Sequence, residues 1–216
     1  MLEFAGAARV DASCIDRDVA GISELRNRYE WTCASASLRS QRGTDERATR
    51  RRGATDDGDF DGTGMRWNHL VLAGDPAQAR PEARGNVQGD IFACPDGITF
   101  DARGVLWIQT DMSSSVMHQG EMARFGNNQM LACDTASGEI RRFLTGPVGC
   151  EITGCTFTPD GRTMFINVQH PGESPSERSD PAQPTRFSTW PDGAGATRPR
   201  SATVVIRKAD GGLIGT

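Results

Sequence analysis

The chain lacks any apolar run near the roughly 18 residues a bilayer-crossing helix needs, and its N-terminus lacks a basic region followed by an apolar block. Neither a membrane span nor an export signal is expected. Lysine is almost missing: Lys208 stands alone, and arginine carries nearly all the positive charge. With a formal net charge of -4 and an isoelectric point near 5.4, nothing suggests a clustered basic surface. Phosphate backbones require one, so nucleic acid is not expected as a partner. The six cysteines (Cys14, Cys33, Cys94, Cys133, Cys150 and Cys155) include no CxxC pair and no metal-finger spacing. So few in a chain of this length argue against a disulfide framework, and Cys150 and Cys155 are expected as buried thiols in strands.

Large apolar side chains are scarce through residues 1–64. Val19, Ile22, Leu25 and Tyr29 in DRDVAGISELRNRYEW have the spacing of a short amphipathic helix. From Ser35 the chain is dense in charge, glycine, serine and threonine, and cannot bury enough surface to offset its ordering entropy. Residues 1–64 are therefore expected to be a low-complexity, disordered segment. Arg50, Arg51 and Arg52 are followed at once by Asp56, Asp57, Asp59 and Asp61, a self-compensating block rather than an anion site. DDGDFDG resembles a calcium loop but has no glutamate at the spacing such loops use for their bidentate ligand.

Order is expected from Met65 to Thr216. Leu70, Val71 and Leu72 before Gly74-Asp75-Pro76 predict a short buried strand and a turn, and residues 77–90 a polar loop. Two similar units follow between Cys94 and Glu173. In the first, Ile98 and Phe100 lie in one strand, Asp101 to Gly104 form a turn, and Val105 to Ile108 form the partner. In the second, Cys155 and Phe157, the turn Thr158 to Gly161, and Met164 to Val168 take the same places. Thr99 aligns with Thr156 and Gly104 with Gly161, a constant offset of 57 positions. Strands are also predicted at Gln129–Cys133, Glu139–Leu144 and Ala202–Arg207, with a long polar loop after Glu173. Strand pairs separated by Asp/Gly turns and repeated at this period predict an all-β fold, about two blades of a β-propeller in an incomplete ring.

Propeller channels gather carboxylates from strand entrances, which directs attention to Asp96 and Glu151. Asp96 in CPDG is open to two readings, turn former or channel ligand. Glu151, opening an apolar strand, would be costly to bury unpaired and is expected to serve as a ligand or ion-pair partner. Asp111 at the end of WIQTD, and His170 and Glu173 in QHPGE, are further candidates for the channel, His170 being equally open to a turn-stabilising or exposed role. Oxygen donors suit calcium, and imidazole would admit a transition metal. Asp101, Asp134 and Asp160 are expected to be hairpin-turn residues. His69 and His118 form no pattern.

The words WNHLVLAGDP, CPDGITFDARGVLWIQTD, GCEITGCTFTPDGRTMFINVQHPGE, STWPDG and PRSATVVI, in this order, resemble the C-terminal part of the PhoX-type alkaline phosphatases over about Trp67 to Ile206. The resemblance implies a β-propeller with calcium and iron at its channel that hydrolyses phosphate monoesters. It implies export by the twin-arginine route to the periplasm or beyond. It makes Asp96 and Glu151 acidic metal-binding channel residues, and places Asp111, His170 and Glu173 in family words without assigning them a role. The family's upstream blades, their metal ligands and their phosphate-binding arginine have no counterpart here, so a complete active site is not expected. The alternative is a non-catalytic binding or assembly module that self-associates through open sheet edges.

Overall fold

The structure, a computed structural model, describes residues 70–175 and 180–216, with the backbone of four short strands before them. In chain order the strands are β1 (Ala7–Arg9), β2 (Tyr29–Ala34), β3 (Ala54–Thr55), β4 (Met65–Arg66), β5 (Gln88–Gly89), β6 (Pro95–Phe100), β7 (Leu106–Thr110), β8 (Gln129–Cys133), β9 (Glu139–Thr145), β10 (Glu151–Phe157), β11 (Thr163–Gln169) and β12 (Ala202–Lys208). The disordered segment, amphipathic helix and charge block expected within residues 1–64 fall, those strands aside, outside the described residues.

The fold is all-β: the described helices are three short 3-10 segments, Pro81–Ala83, Gly120–Phe125 and Gly193–Gly195. None among the described residues is long and apolar enough to cross a membrane. One sheet has the order β5-β9-β8-β7-β6, in which β6 to β9 form a consecutive antiparallel meander. The other has the order β1-β2-β12-β11-β10, with β10 to β12 again a meander and β2 alongside β12. The described residues close no barrel.

The hairpin turns form because aspartate side chains replace missing backbone partners. Asp101 Oδ1 accepts from the backbone N–H of Arg103 at 2.9 Å and of Val105 at 3.0 Å. Asp134 accepts from Ala136 N and Ser137 Oγ, and Asp160 from Thr158 Oγ1 and Arg162 N.

Strand β7 is buried along its whole length because both of its faces are covered. Leu106 and Ile108 pack with Leu131, Cys133, Ile140, Val87 and Phe92 on one side. Trp107 faces the other sheet and joins Ile152, Met164, Ile166, Val204 and Ile206. It meets Phe143 edge-on, with ring centroids 4.9 Å apart, and Phe157 at 5.6 Å. Such pairs add about 0.5–1.5 kcal/mol each to area burial. Contacts of β10 with β6, β7 and β8 hold the sheets together, so the entrances of β6 and β10 lie close in space.

Three expectations need correction. Residues 77–90 are not wholly a polar loop: Gln88–Gly89 pair with Glu139 and Ile140 of β9, and Val87 is buried in the core. Leu70 to Leu72 do not form a buried strand: Asn86 takes both the N–H and the carbonyl of Leu72, and Leu72 is 40% exposed. The segment that follows makes one isolated antiparallel bridge, Gly74 to Phe92, outside the named strands. The β11–β12 connection, predicted as a polar loop, puts Trp190 into the inter-sheet core.

Candidate metal centre

Asp96 lies within β6, not in a turn. A bulge between Pro95 and Ile98 accommodates it, and bulges re-aim side chains. Gly97 belongs to the same bulge: a Cβ there would stand 2.4 Å from Oε1 of buried Gln109. Asp111 follows the last residue of β7, and its N–H is held by the carbonyl of Cys94 at 3.0 Å. Glu151 is the first residue of β10 and is buried; Gln169 Nε2 donates to its Oε2.

These segments bring Asp96, Asp111 and Glu151 together, with one carboxylate oxygen of each within 4.8 Å of the others. Asp96 and Asp111 are exposed at the surface while Glu151 forms the buried floor. The two acids expected to converge therefore do so, but from non-equivalent repeat positions: the 57-residue offset sets Thr153 against Asp96 and Cys94 against Glu151.

The electrostatics show a shortage of positive charge. Partial burial, then the charges of Glu151 and Asp96, push the Asp111 carboxyl up to about 6, with His170 opposing. Burial followed by Glu151 raises Asp96 as well. His170 moves upward, chiefly through its bond with Glu151 and against the effect of burial. Three hard oxygen donors of net negative charge form a donor set suited to a hard divalent cation.

His170 and Glu173 border this cluster without joining it. His170 Nε2 stands 3.6 Å from Glu151 Oε2, and Nδ1 lies 3.3 Å from the carbonyl of Gly149. Its backbone, at φ 39°, is fixed by donation to Ser201 Oγ at 2.9 Å. Glu173 is further out: its Oε2 lies 3.9 Å from His170 Nδ1 and accepts from Ser114 Oγ at 2.9 Å. That bond links the β7–β8 and β11–β12 connections beside the acids. Sequence reasoning missed Gln169, Ser114 and the Cys94 carbonyl. Gln169 lies in the quoted word NVQH and carried a signal, whereas Ser114, in a serine run, carried none.

The family described as alkaline phosphatase PhoX matches residues 44–172. The chain belongs to the PhoX alkaline phosphatase family. The match begins upstream of the resemblance read from the sequence words, so the end of the 1–64 segment lies within the PhoX region. A solved structure, Pseudomonas fluorescens PhoX in complex with vanadate, a transition state analogue, is similar with a TM-score of 0.65 and 41% identity. The similarity covers 76% of this chain and 27% of that one, so the chain spans about a quarter of the solved PhoX. No curated protein sequence matches. The acids at 96, 111 and 151, and His170, all fall inside the PhoX-matched residues, and Glu173 immediately follows them.

Proposed function

We propose that this chain supplies an acidic metal site to a PhoX-type phosphomonoesterase, its two sheets acting as adjacent blades of a propeller. The observation that carries this is the convergence of Asp96, Asp111 and Glu151 in a family-matched region. Calcium suits the three carboxylates; nothing in this donor set selects iron, and no iron ligand is assigned. A bound cation would supply positive charge to phosphate oxygens and to an attacking oxygen. The chain's own groups fix the ligands. Gln169 and His170 orient Glu151, the Cys94 carbonyl anchors the Asp111 backbone, and Ser114 holds Glu173 at the rim.

Because the chain spans 27% of the solved PhoX, the rest of the catalytic apparatus is assigned to residues outside it. Strand β6 supports this. It is a sheet edge with Ile98 and Phe100 each 42% exposed, which suits a further sheet or a second copy as its packing partner. Family membership favours this reading over a non-catalytic assembly module. The test is hydrolysis of a phosphate monoester by the purified 216-residue chain with calcium and iron added. Calcium binding without appreciable turnover is expected; robust turnover would refute the incomplete site, and absence of calcium binding would refute the metal centre.

A further inference from the structure

The side chain of Asn128 joins the two strand ends that present the acids. It is 1% exposed and its hydrogen-bonding capacity is filled. Oδ1 accepts from Met112 N at 2.6 Å and from Thr110 Oγ1 at 2.9 Å. Nδ2 donates to Met112 O at 2.9 Å and to Cys150 O at 2.8 Å. Thr110 and Met112 flank Asp111, and Cys150 precedes Glu151. A single rigid amide therefore holds the Thr110 hydroxyl before one carboxylate, the Met112 backbone after it and the Cys150 backbone immediately before another, across the junction of the two sheets.

We infer that Asn128 is a positioning residue for the acidic site, setting the separation of Asp111 from Glu151. This rests on the proposal that the cluster binds a cation. Asp111 and Glu151 do not attract each other; without an imposed spacing, their repulsion would open the site. The neighbouring Asn127 provides a contrast. It is 4% exposed and bonded to Gly146 O and His118 Nε2, but to neither acid-bearing segment.

The test compares Asn128→Ala, Asn128→Asp and Asn127→Ala in the full chain by calorimetric titration with calcium. Loss of a group that orients metal ligands costs about 10- to 100-fold in affinity, and both Asn128 variants should show it. Asn128→Asp is the more discriminating, because a new negative charge alone would tighten calcium binding. Removal of the Nδ2 donors faces Met112 O and Cys150 O with oxygen and should weaken it. Asn127→Ala should bind within about twofold of wild type, as a site outside the ligand shell does. Unchanged or tighter binding by the Asn128 variants, or an equal loss in Asn127→Ala, overturns the inference. If Asn128→Ala does not fold, Thr110→Val removes one bond to Oδ1 and must weaken calcium in the same direction; unchanged affinity overturns the assignment.

Amide hydrogen exchange with chelator present separates this inference from the metal reading. Asn128→Ala should speed exchange at both Met112 and Glu151, and Asn127→Ala at neither. Exchange that rises at Met112 alone overturns the clamp whether or not calcium binds. A wild-type chain that binds no calcium but shows the paired response overturns the metal reading and leaves the clamp standing.

Discussion

Glu151 Oε2 accepts from the Gln169 amide and lies 3.6 Å from His170 Nε2, so the buried member of the acidic cluster is held by one hydrogen bond from the partner strand and faces an imidazole just past that strand's end. The same carboxylate raises Asp111 and Asp96. Its charge therefore opposes the folded metal-free cluster and favours a bound cation. Glu151→Gln keeps the shape and removes the charge. Calcium affinity should fall by at least about tenfold, the loss that even outer partners of a metal ligand can cause. Melting in chelator should change little or rise. In wild type, calcium should raise the melting temperature and chelator should reverse it. Equal calcium affinity in wild type and Glu151→Gln, measured by calorimetry, would remove Glu151 from the ligand set.

Asp101 gives a pH signature remote from the metal site. Burial raises its carboxyl, but bonds from Arg103, Val105 and Trp107 outweigh burial and leave it below its ordinary value of 3.8. The folded value is thus lower than the unfolded one. The stabilisation is complete above the unfolded value and is lost as pH falls through the folded value. Asp101→Asn should cost about 1.5–3 kcal/mol at neutral pH, the range for hydrogen bonds to a charged group. The gap from wild type should narrow on acidification below pH 3.8. Urea unfolding across that range reads both effects; a gap independent of pH would show that charge contributes nothing.

The all-β class and the hairpins follow from local pattern, and three of the five candidate channel residues, Asp96, Asp111 and Glu151, come together in the structure. Turn aspartates satisfy nearby backbone groups, and β-branched alternation records which face is buried. Glu151 was legible because a carboxylate opening an apolar strand needs a partner, whereas Asp96 in CPDG read equally as a turn former. What was not legible depends on distant contacts. Asn128 lies in the polar word NNQ, and its role exists only once Met112 and Cys150 are brought to it from different sheets. Leu72 failed as a strand residue because Asn86 competes for its backbone, and Trp190 was hidden in a Pro/Gly-rich loop that folds back onto the core.

The C-terminal tail tests whether the two repeat units fold as one body. Ile214 is fully buried in the inter-sheet core; its N–H donates to Gly161 O at 3.1 Å and its carbonyl accepts from Arg103 at 2.5 Å. It therefore ties together the hairpin turns of both units. Ile214→Ala should cost about 2–5 kcal/mol, as buried Ile truncations do, and urea should still give one unfolding transition. Leu213→Ala, at a residue 37% exposed, is the control and should cost far less. Equal costs would show that the tail does not hold the sheets.

Gly149 separates backbone strain from positioning at the site. Its φ is +65°, and a Cβ there would lie 2.8 Å from Glu173 N and 2.9 Å from Glu173 O. Its carbonyl also accepts from Glu173 N at 3.2 Å and lies 3.3 Å from His170 Nδ1. Left-handed strain alone would cost Gly149→Ala about 1–2 kcal/mol and leave His170 in place. The added methyl instead meets backbone, which cannot rotate aside, so the 170–173 loop must move and carry His170 away from Glu151. Since the bond with Glu151 is the largest cause of the raised His170 value, its imidazole should titrate lower in Gly149→Ala than in wild type, by NMR in chelator. A stability loss with unaltered His170 titration would assign the whole effect to strain.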